Sequence, residues 1–136
     1  REYGGSITFC EPTLNSRVET AAKVQQATNA AFIHPSEDEN VIYGQGTQAV
    51  ELLEDEPDLD VILVPVGGGG MISGIALATM NFDRPIAVIG CEPLGADDAY
   101  HSKLKGEIVP QLAPNTIADG LRTSLGPNTF PIIYNY

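Results

Sequence analysis

The stretch that decides the fold is Val61-Ile62-Leu63-Val64-Pro65-Val66-Gly67-Gly68-Gly69-Gly70-Met71-Ile72-Ser73-Gly74-Ile75-Ala76-Leu77-Ala78-Thr79-Met80-Asn81-Phe82. Its opening residues carry the continuous apolar pattern of a buried strand, four glycines follow, and small residues in helical rhythm come next. A strand brings the chain to its carboxyl end, and glycines let the backbone turn without Cβ clashes. The first turn of the next helix then aims unpaired N–H groups at whatever lies in front of it. An anion, above all a phosphate, is the natural occupant.

A flexible linker would not be gripped between Val61–Val64 and Ile72–Ala78. The stretch carries no charge over 22 residues, about the length of a membrane span, but Pro65 and four glycines would cripple a continuous helix. A Walker loop needs a Lys and a Ser or Thr after its last glycine. Met71 stands there, and no Gly-Lys pair occurs in the chain. A dinucleotide fingerprint needs a third glycine where Ile72 or Ser73 stands, so neither register fits. Glu92 does lie where that motif keeps its ribose-binding acid, so a dinucleotide site is weakened rather than removed.

Around this stretch, short apolar runs alternate with helical ones. Ser6–Cys10 and Ala31–His34 read as strands, and Asn15–Thr28 as a helix with Val18, Ala21, Ala22 and Val24 or Gln25 near one face. Gln45–Glu54 reads as a helix with Val50, Leu52 and Leu53 inward. After Val61–Val66 and the helix from Met71 come a strand at Ile86–Cys91 and a short helix at Asp97–Lys105, ended by Gly106. The alternation predicts an α/β fold: a three-layer, doubly wound, mostly parallel sheet. Ligands of such folds collect at the carboxyl ends of the strands, where Gly67–Gly70 and Glu92 both fall.

The chain has 136 residues, 43% of them hydrophobic, which suits one core of moderate size. The net charge is −11 with seven Lys and Arg, so nucleic acid and membrane are poor partners. Cys10 and Cys91 show no CxxC spacing and read as reduced core residues of a cytoplasmic protein. No signal peptide is visible, the chain does not begin with Met, and both ends are expected to be cuts in a longer protein.

A second cluster with chemistry is Cys91-Glu92-Pro93-Leu94-Gly95-Ala96-Asp97-Asp98. Its carboxylates and intervening carbonyls suit a hard divalent cation, Mg²⁺, Mn²⁺ or Ca²⁺, better than zinc. An acidic loop in which Asp97 or Asp98 caps the next helix fits the same residues. His34, with no acid or nucleophile fixed beside it, reads as structural. Tyr43-Gly44-Gln45-Gly46-Thr47 reads as a glycine-bearing helix start packed closely on the sheet.

Taken together, Val64–Met71, Gly44-Gln45-Gly46-Thr47 and Glu92-Pro93 resemble the fold-type II pyridoxal-phosphate enzymes, the tryptophan synthase β-like group. Ala96-Asp97-Asp98, Ser102–Gly106, Thr116–Gly120 and Asn128–Ile133 are similar to its serine racemase and serine/threonine dehydratase branch. The resemblance covers nearly the whole chain. It implies an enzyme that interconverts L- and D-serine and eliminates water from serine to give pyruvate and ammonia, with threonine as a further substrate. Within the group, a threonine dehydratase or a cysteine synthase-type lyase is the alternative reading.

By the same resemblance, the backbone of Gly67, Gly68, Gly69, Gly70 and Met71 holds the phosphate of pyridoxal 5'-phosphate, and Gly120 lies near its ring. Glu92, the Ala96 carbonyl and Asp98 bind Mg²⁺ or a similar cation. Residues 1–33 belong to a small domain and 34–136 to the large cofactor domain, both incomplete. A homodimer and a nucleotide effector, the latter involving Tyr3, are further implications.

No residue here matches the family's Schiff-base lysine or its opposite-face serine, and the Ser-Gly-Gly-Asn-like segment at the pyridine nitrogen is also unmatched. Lys23, Lys103 and Lys105 are not expected to take the catalytic role. Ser36 stands where a substrate-contacting asparagine is common. The isolated chain is therefore expected to be inactive, with unpaired sheet edges, exposed apolar faces and poor solubility. Outside the family, a non-catalytic module for phosphate ligands and a dinucleotide-dependent oxidoreductase remain as alternatives.

Overall fold

A computed structural model describes residues 3–136, which divide into two compact units, one ending at Ile33 and one spanning His34–Tyr136. In the first unit, helix α1 (Leu14–Thr28) begins at Thr13, whose hydroxyl accepts the Ser16 N–H at 3.2 Å. It ends at Asn29, which adopts the left-handed conformation (φ 52°) that Asn tolerates better than most residues. No residue of α1 is fully buried: of the expected apolar face Ala21 is half-buried, while Val18, Ala22 and Val24 are exposed. Ser6–Cys10 and Ala31–His34, expected as strands, are not strands among the described residues.

The second unit is built on a βαβ core. Strands β1 (Val61–Pro65) and β2 (Ala87–Cys91) pair in parallel, with Val61 opposite Ala87 and Pro65 opposite Cys91. Helix α3 (Gly70–Thr79) connects them and packs on both. Arg84 ties the approaches to the two strands together, donating to Asp60 Oδ1 at 2.9 Å and to the carbonyls of Pro57 and Leu59. Ile62 and Val64 of β1 point into the core with Ile72 and Ile75 of α3, while Val61, Leu63 and Ile89 stay exposed. The sheet thus leaves one face open among the described residues, as expected for an incomplete fold.

Helix α2 (Glu39–Asp55) begins earlier than its sequence suggests. Asp38 caps it, accepting the N–H groups of Asn40 (2.9 Å) and Val41 (3.4 Å), so Gly44 and Gly46 lie within the helix rather than at its start. Its buried stripe is Ile42, Gly46, Ala49 and Leu53, a clean helical spacing. Of the residues expected inward, Leu53 is buried, whereas Val50 and Leu52 are exposed because they fall outside that stripe. The stripe is shallow where α2 meets α3: a Cβ on Gly46 would sit 2.7 Å from the Gly74 carbonyl oxygen, and one on Gly74 would strike the Ile42 carbonyl. The two backbones approach each other through their glycines.

Helix α4 (Asp98–Lys105) closes at Gly106 (φ 74°), whose N–H donates to Ser102 O. A 3₁₀ turn at Asp119–Leu121 and helix α5 (Thr129–Asn135) complete the unit. Both cysteines are free, but both are exposed rather than in the core. Cys10 lies in a run that is not a strand among the described residues, and Cys91 ends a strand whose residues are almost all exposed. No helix among the described residues is long and apolar enough to cross a membrane.

Candidate functional site

The four glycines leave β1 and wrap the start of α3, and the packing around them accounts for each missing Cβ. On Gly67 it would lie 2.7 Å from Gly120 O. On Gly68 it would collide with Ser36 Oγ, and on Gly70 it would lie 2.9 Å from Ser36 Cα. Gly69 adopts φ +85°, and a Cβ there would meet Leu125, Ile133 and Thr129 at 2.7–3.0 Å. The structure therefore brings the sequence-predicted Gly67, Gly68, Gly69, Gly70, Met71 and Gly120 together, and adds Ser36 and Thr123.

Among the described residues, no amide from Gly67 to Ile72 donates to a protein acceptor; the first paired one is Ser73, which donates to Gly69 O at 3.0 Å. Gly67, Gly69, Gly70 and Ile72 are nevertheless buried. The first N–H groups of a helix have no intrahelical partner. A run of them at a helix N-terminus fits a phosphate, whose oxygens accept several N–H bonds at once.

Two segments brace this loop. In the His34–Glu37 turn, His34 Nδ1 accepts the N–H groups of Ser36 (3.2 Å) and Glu37 (3.0 Å), so its neutral form carries the proton on Nε2. His34 thus helps to fix this turn through its own ring nitrogen. Glu37 reaches the segment before α5: Oε2 accepts the Asn128 N–H at 2.7 Å, Oε1 accepts the Thr129 hydroxyl at 2.8 Å, and the Glu37 carbonyl accepts Asn128 Nδ2 at 2.7 Å. Thr129, fully buried, also lies 2.9 Å from Gly68 O. Sequence reasoning misses Glu37 and Thr129. Glu37 shows only as a charged residue in a turn after Pro, and Thr129 only as part of the Asn128–Ile133 resemblance, with no role attached.

At the end of β2, Glu92 serves the helix that follows. Its oxygens accept the N–H groups of Ala99 (3.0 Å) and Tyr100 (2.8 Å), so Glu92 rather than Asp97 caps α4. Asp98 is 3% exposed and accepts the Leu125 N–H at 3.1 Å. Burial pushes the Glu92 carboxyl above its usual range against the pull of its two N–H donors, and the charges of Asp98 and Asp97 push the same way. Burial likewise raises Asp98, opposed by the Leu125 N–H and aided by Asp97. No three His, Cys, Asp or Glu side chains converge as a metal cluster among the described residues. A site here would need the buried Ala96 to supply its carbonyl, as a hard cation accepts.

Within the second unit, neither Lys103 nor Lys105 is tied to the glycine loop. Lys103 Nζ donates to Ile133 O at 3.0 Å, Lys105 is exposed in the last turn of α4, and Lys23 is exposed in the first unit. The first unit holds an open cavity of about 310 Å³ lined by residues that include Thr8, Cys10, Arg17 and Gln25.

This combination of a parallel βαβ unit, an amide-lined glycine loop and an acidic turn after β2 fits a phosphate-cofactor domain of an α/β enzyme. The chain belongs to the pyridoxal-phosphate-dependent enzyme family, whose profile matches residues 1–136. It is 50% identical over 131 residues to serine racemase of Arabidopsis thaliana, covering 96% of this chain and 40% of that protein. It is 48% identical over 136 residues to beta-hydroxyaspartate dehydratase of Paracoccus denitrificans, covering 100% and 43%. Its fold superposes on maize serine racemase with a TM-score of 0.93 at 44% identity, covering 98% of this chain and 42% of that one. The chain thus spans about two fifths of the length of these relatives. It has the partial fold of a fold-type II enzyme, and its relatives are racemases and lyases.

Proposed function

We propose that this chain is the phosphate-binding and cation-binding part of a serine racemase or serine/threonine dehydratase that acts on serine through pyridoxal 5'-phosphate. The observation that carries this reading is the run of unpaired amides from Gly67 to Ile72 in a chain of this family. Gly67, Gly68, Gly69, Gly70 and Met71 hold the phosphate through their N–H groups, and the Gly120 carbonyl beside Gly67 fixes that edge of the loop. When bound, the cofactor supplies an electron sink for bonds broken at the substrate Cα.

Glu92, the Ala96 carbonyl and Asp98 hold Mg²⁺, Mn²⁺ or Ca²⁺. The support is a pair of carboxylates, Asp98 buried and Glu92 half-buried, whose negative charge is disfavoured without a counter-ion. A homodimer, a nucleotide effector and a cytoplasmic site of action follow from the same kinship. Substrate choice among serine, threonine and related hydroxy amino acids rests in part on Ser36, which lies against Gly68 and Gly70.

The chain's own lysines stay with other partners or in solvent, so this region binds cofactor without turning substrate over. The test is to titrate the 136-residue chain with pyridoxal 5'-phosphate and follow the ³¹P resonance, then assay pyruvate from L-serine. The expected result is saturable phosphate binding with pyruvate at the no-protein level. Absent binding would overturn the loop assignment, and pyruvate production would overturn the assignment of catalysis to residues outside this chain.

A further inference from the structure

We propose that Thr129 is a positioning residue for the phosphate loop: its hydroxyl holds the Gly68 carbonyl inward and so turns the Gly69 N–H outward to the phosphate. The inference rests on the loop assignment above.

The geometry is local and specific. Thr129 Oγ1 lies 2.9 Å from Gly68 O and accepts the Gly126 N–H at 3.1 Å. In a trans peptide, C=O and N–H point in opposite directions. Fixing the Gly68 carbonyl therefore fixes the Gly69 N–H on the other side of the same plane. Glycine has no side chain to restrain that plane, and Gly69 is at φ +85°, where the peptide on either side is easily flipped. A peptide flip here would put a carbonyl oxygen where the phosphate needs a donor.

Thr129 is itself held from several sides. Its side chain is fully buried, its Cβ lies 3.0 Å from the position a Gly69 Cβ would take, and Glu37 Oε1 lies 2.8 Å from its hydroxyl. A hydroxyl has one proton, which is shared between the Glu37 carboxylate and the Gly68 carbonyl. Asn128 N–H and Nδ2–H, donating to Glu37 Oε2 and Glu37 O, keep that carboxylate in place. The loop plane is thus set by a chain of contacts that starts outside the loop.

The test uses inorganic phosphate, which isolates this contact from the cofactor ring, and reads its dissociation constant by ³¹P titration of the wild-type chain and three variants. Thr129→Val keeps the shape and removes the hydroxyl. Thr129→Ser keeps the hydroxyl. Thr79→Val removes a buried hydroxyl that serves Ile75 O, Ala76 O and Tyr136, away from the loop.

Thr129→Val is expected to bind phosphate about tenfold more weakly, the effect of one oriented hydrogen bond. Thr129→Ser and Thr79→Val should stay within about twofold of wild type. Equal affinity of Thr129→Val and wild type would overturn the inference. So would equal losses in Thr129→Val and Thr79→Val, which would mark a general loss of stability. Should Thr129→Val fail to fold, a tenfold loss in Thr129→Ser would overturn it alone, because the hydroxyl is still there. If wild type binds no phosphate, the loop assignment falls first.

Discussion

Gly44 and Gly46 stand two residues apart in α2, yet alanine should have opposite effects at the two positions. Both lie in the helix interior, where Ala is favoured over Gly by about 0.5–1 kcal/mol. A Cβ at Gly44 meets nothing within 4 Å, so Gly44→Ala should stabilise by about that amount. A Cβ at Gly46 would lie 2.7 Å from Gly74 O and 3.3 Å from its carbonyl carbon. Both atoms are backbone of α3 and cannot rotate away, so the helices must part by about half an ångström or more. Overpacking of this kind costs about 1–3 kcal/mol. After the propensity gain, Gly46→Ala should come out about 0–2 kcal/mol less stable than wild type. The gap between the two variants is then about 1–3 kcal/mol, since the propensity term cancels between them. Urea unfolding followed by far-UV circular dichroism measures it, and with a slope of about 2 kcal/mol per molar the midpoints should differ by roughly 0.5–1.5 M. Equal midpoints would refute the backbone-to-backbone contact of α2 and α3.

Glu92 and Asp98 make stability depend on pH in the sense opposite to most carboxylates. Their folded pKa values are raised above the ordinary 4.5 and 3.8, so they oppose folding once ionised. Stability on this account is greatest below those values and falls as pH rises through the raised ones. Asp98→Asn should flatten that fall, and Mg²⁺ or Mn²⁺ should raise the melting temperature at pH 7.5 but not at pH 4; a shift equal at both pH values would count against carboxylate binding. Cys10 and Cys91, both free and exposed, should react with a thiol reagent in the native chain, to two equivalents without denaturant; reaction only after unfolding would contradict their exposure.

The βαβ core is legible because its elements are continuous and its punctuation is strong. Val61–Val66 has no polar interruption, four glycines mark the turn, and Gly106 ends α4 as expected. The start of α2 is harder to read, because Gly44 and Gly46 look like turn residues until α3 is placed against them. Its inward face is obscured for the same reason: the buried stripe runs through Gly46 and Ala49, residues with little hydrophobic signal. Ser6–Cys10 and Ala31–His34 have strand composition, but strand formation depends on partners that local sequence does not encode.

The site is half visible in the sequence. Glycines and carboxylates announce themselves by type and spacing, which is how the loop and the acidic turn stand out. Thr129 and Glu37 do not, because their importance comes from contacts between distant segments. Glu92, expected as a cation ligand, is seen to supply the cap that Asp97 leaves unfilled.

The contacts that brace the glycine loop also bear on the order of folding. Glu37 and Thr129 are 92 positions apart, and Gly68 and Thr129 are 61 apart. Closing such long segments costs chain entropy before their contacts repay it, whereas the βαβ core is stitched by shorter connections. The loop is then expected to be completed after the sheet and α3 are in place, and a phosphate bound as proposed would meet a finished cradle only late in folding. A ligand of that kind leaves the folding rate nearly unchanged and slows unfolding instead. Phosphate would therefore act on how long the native chain lasts, with little influence on how quickly it forms.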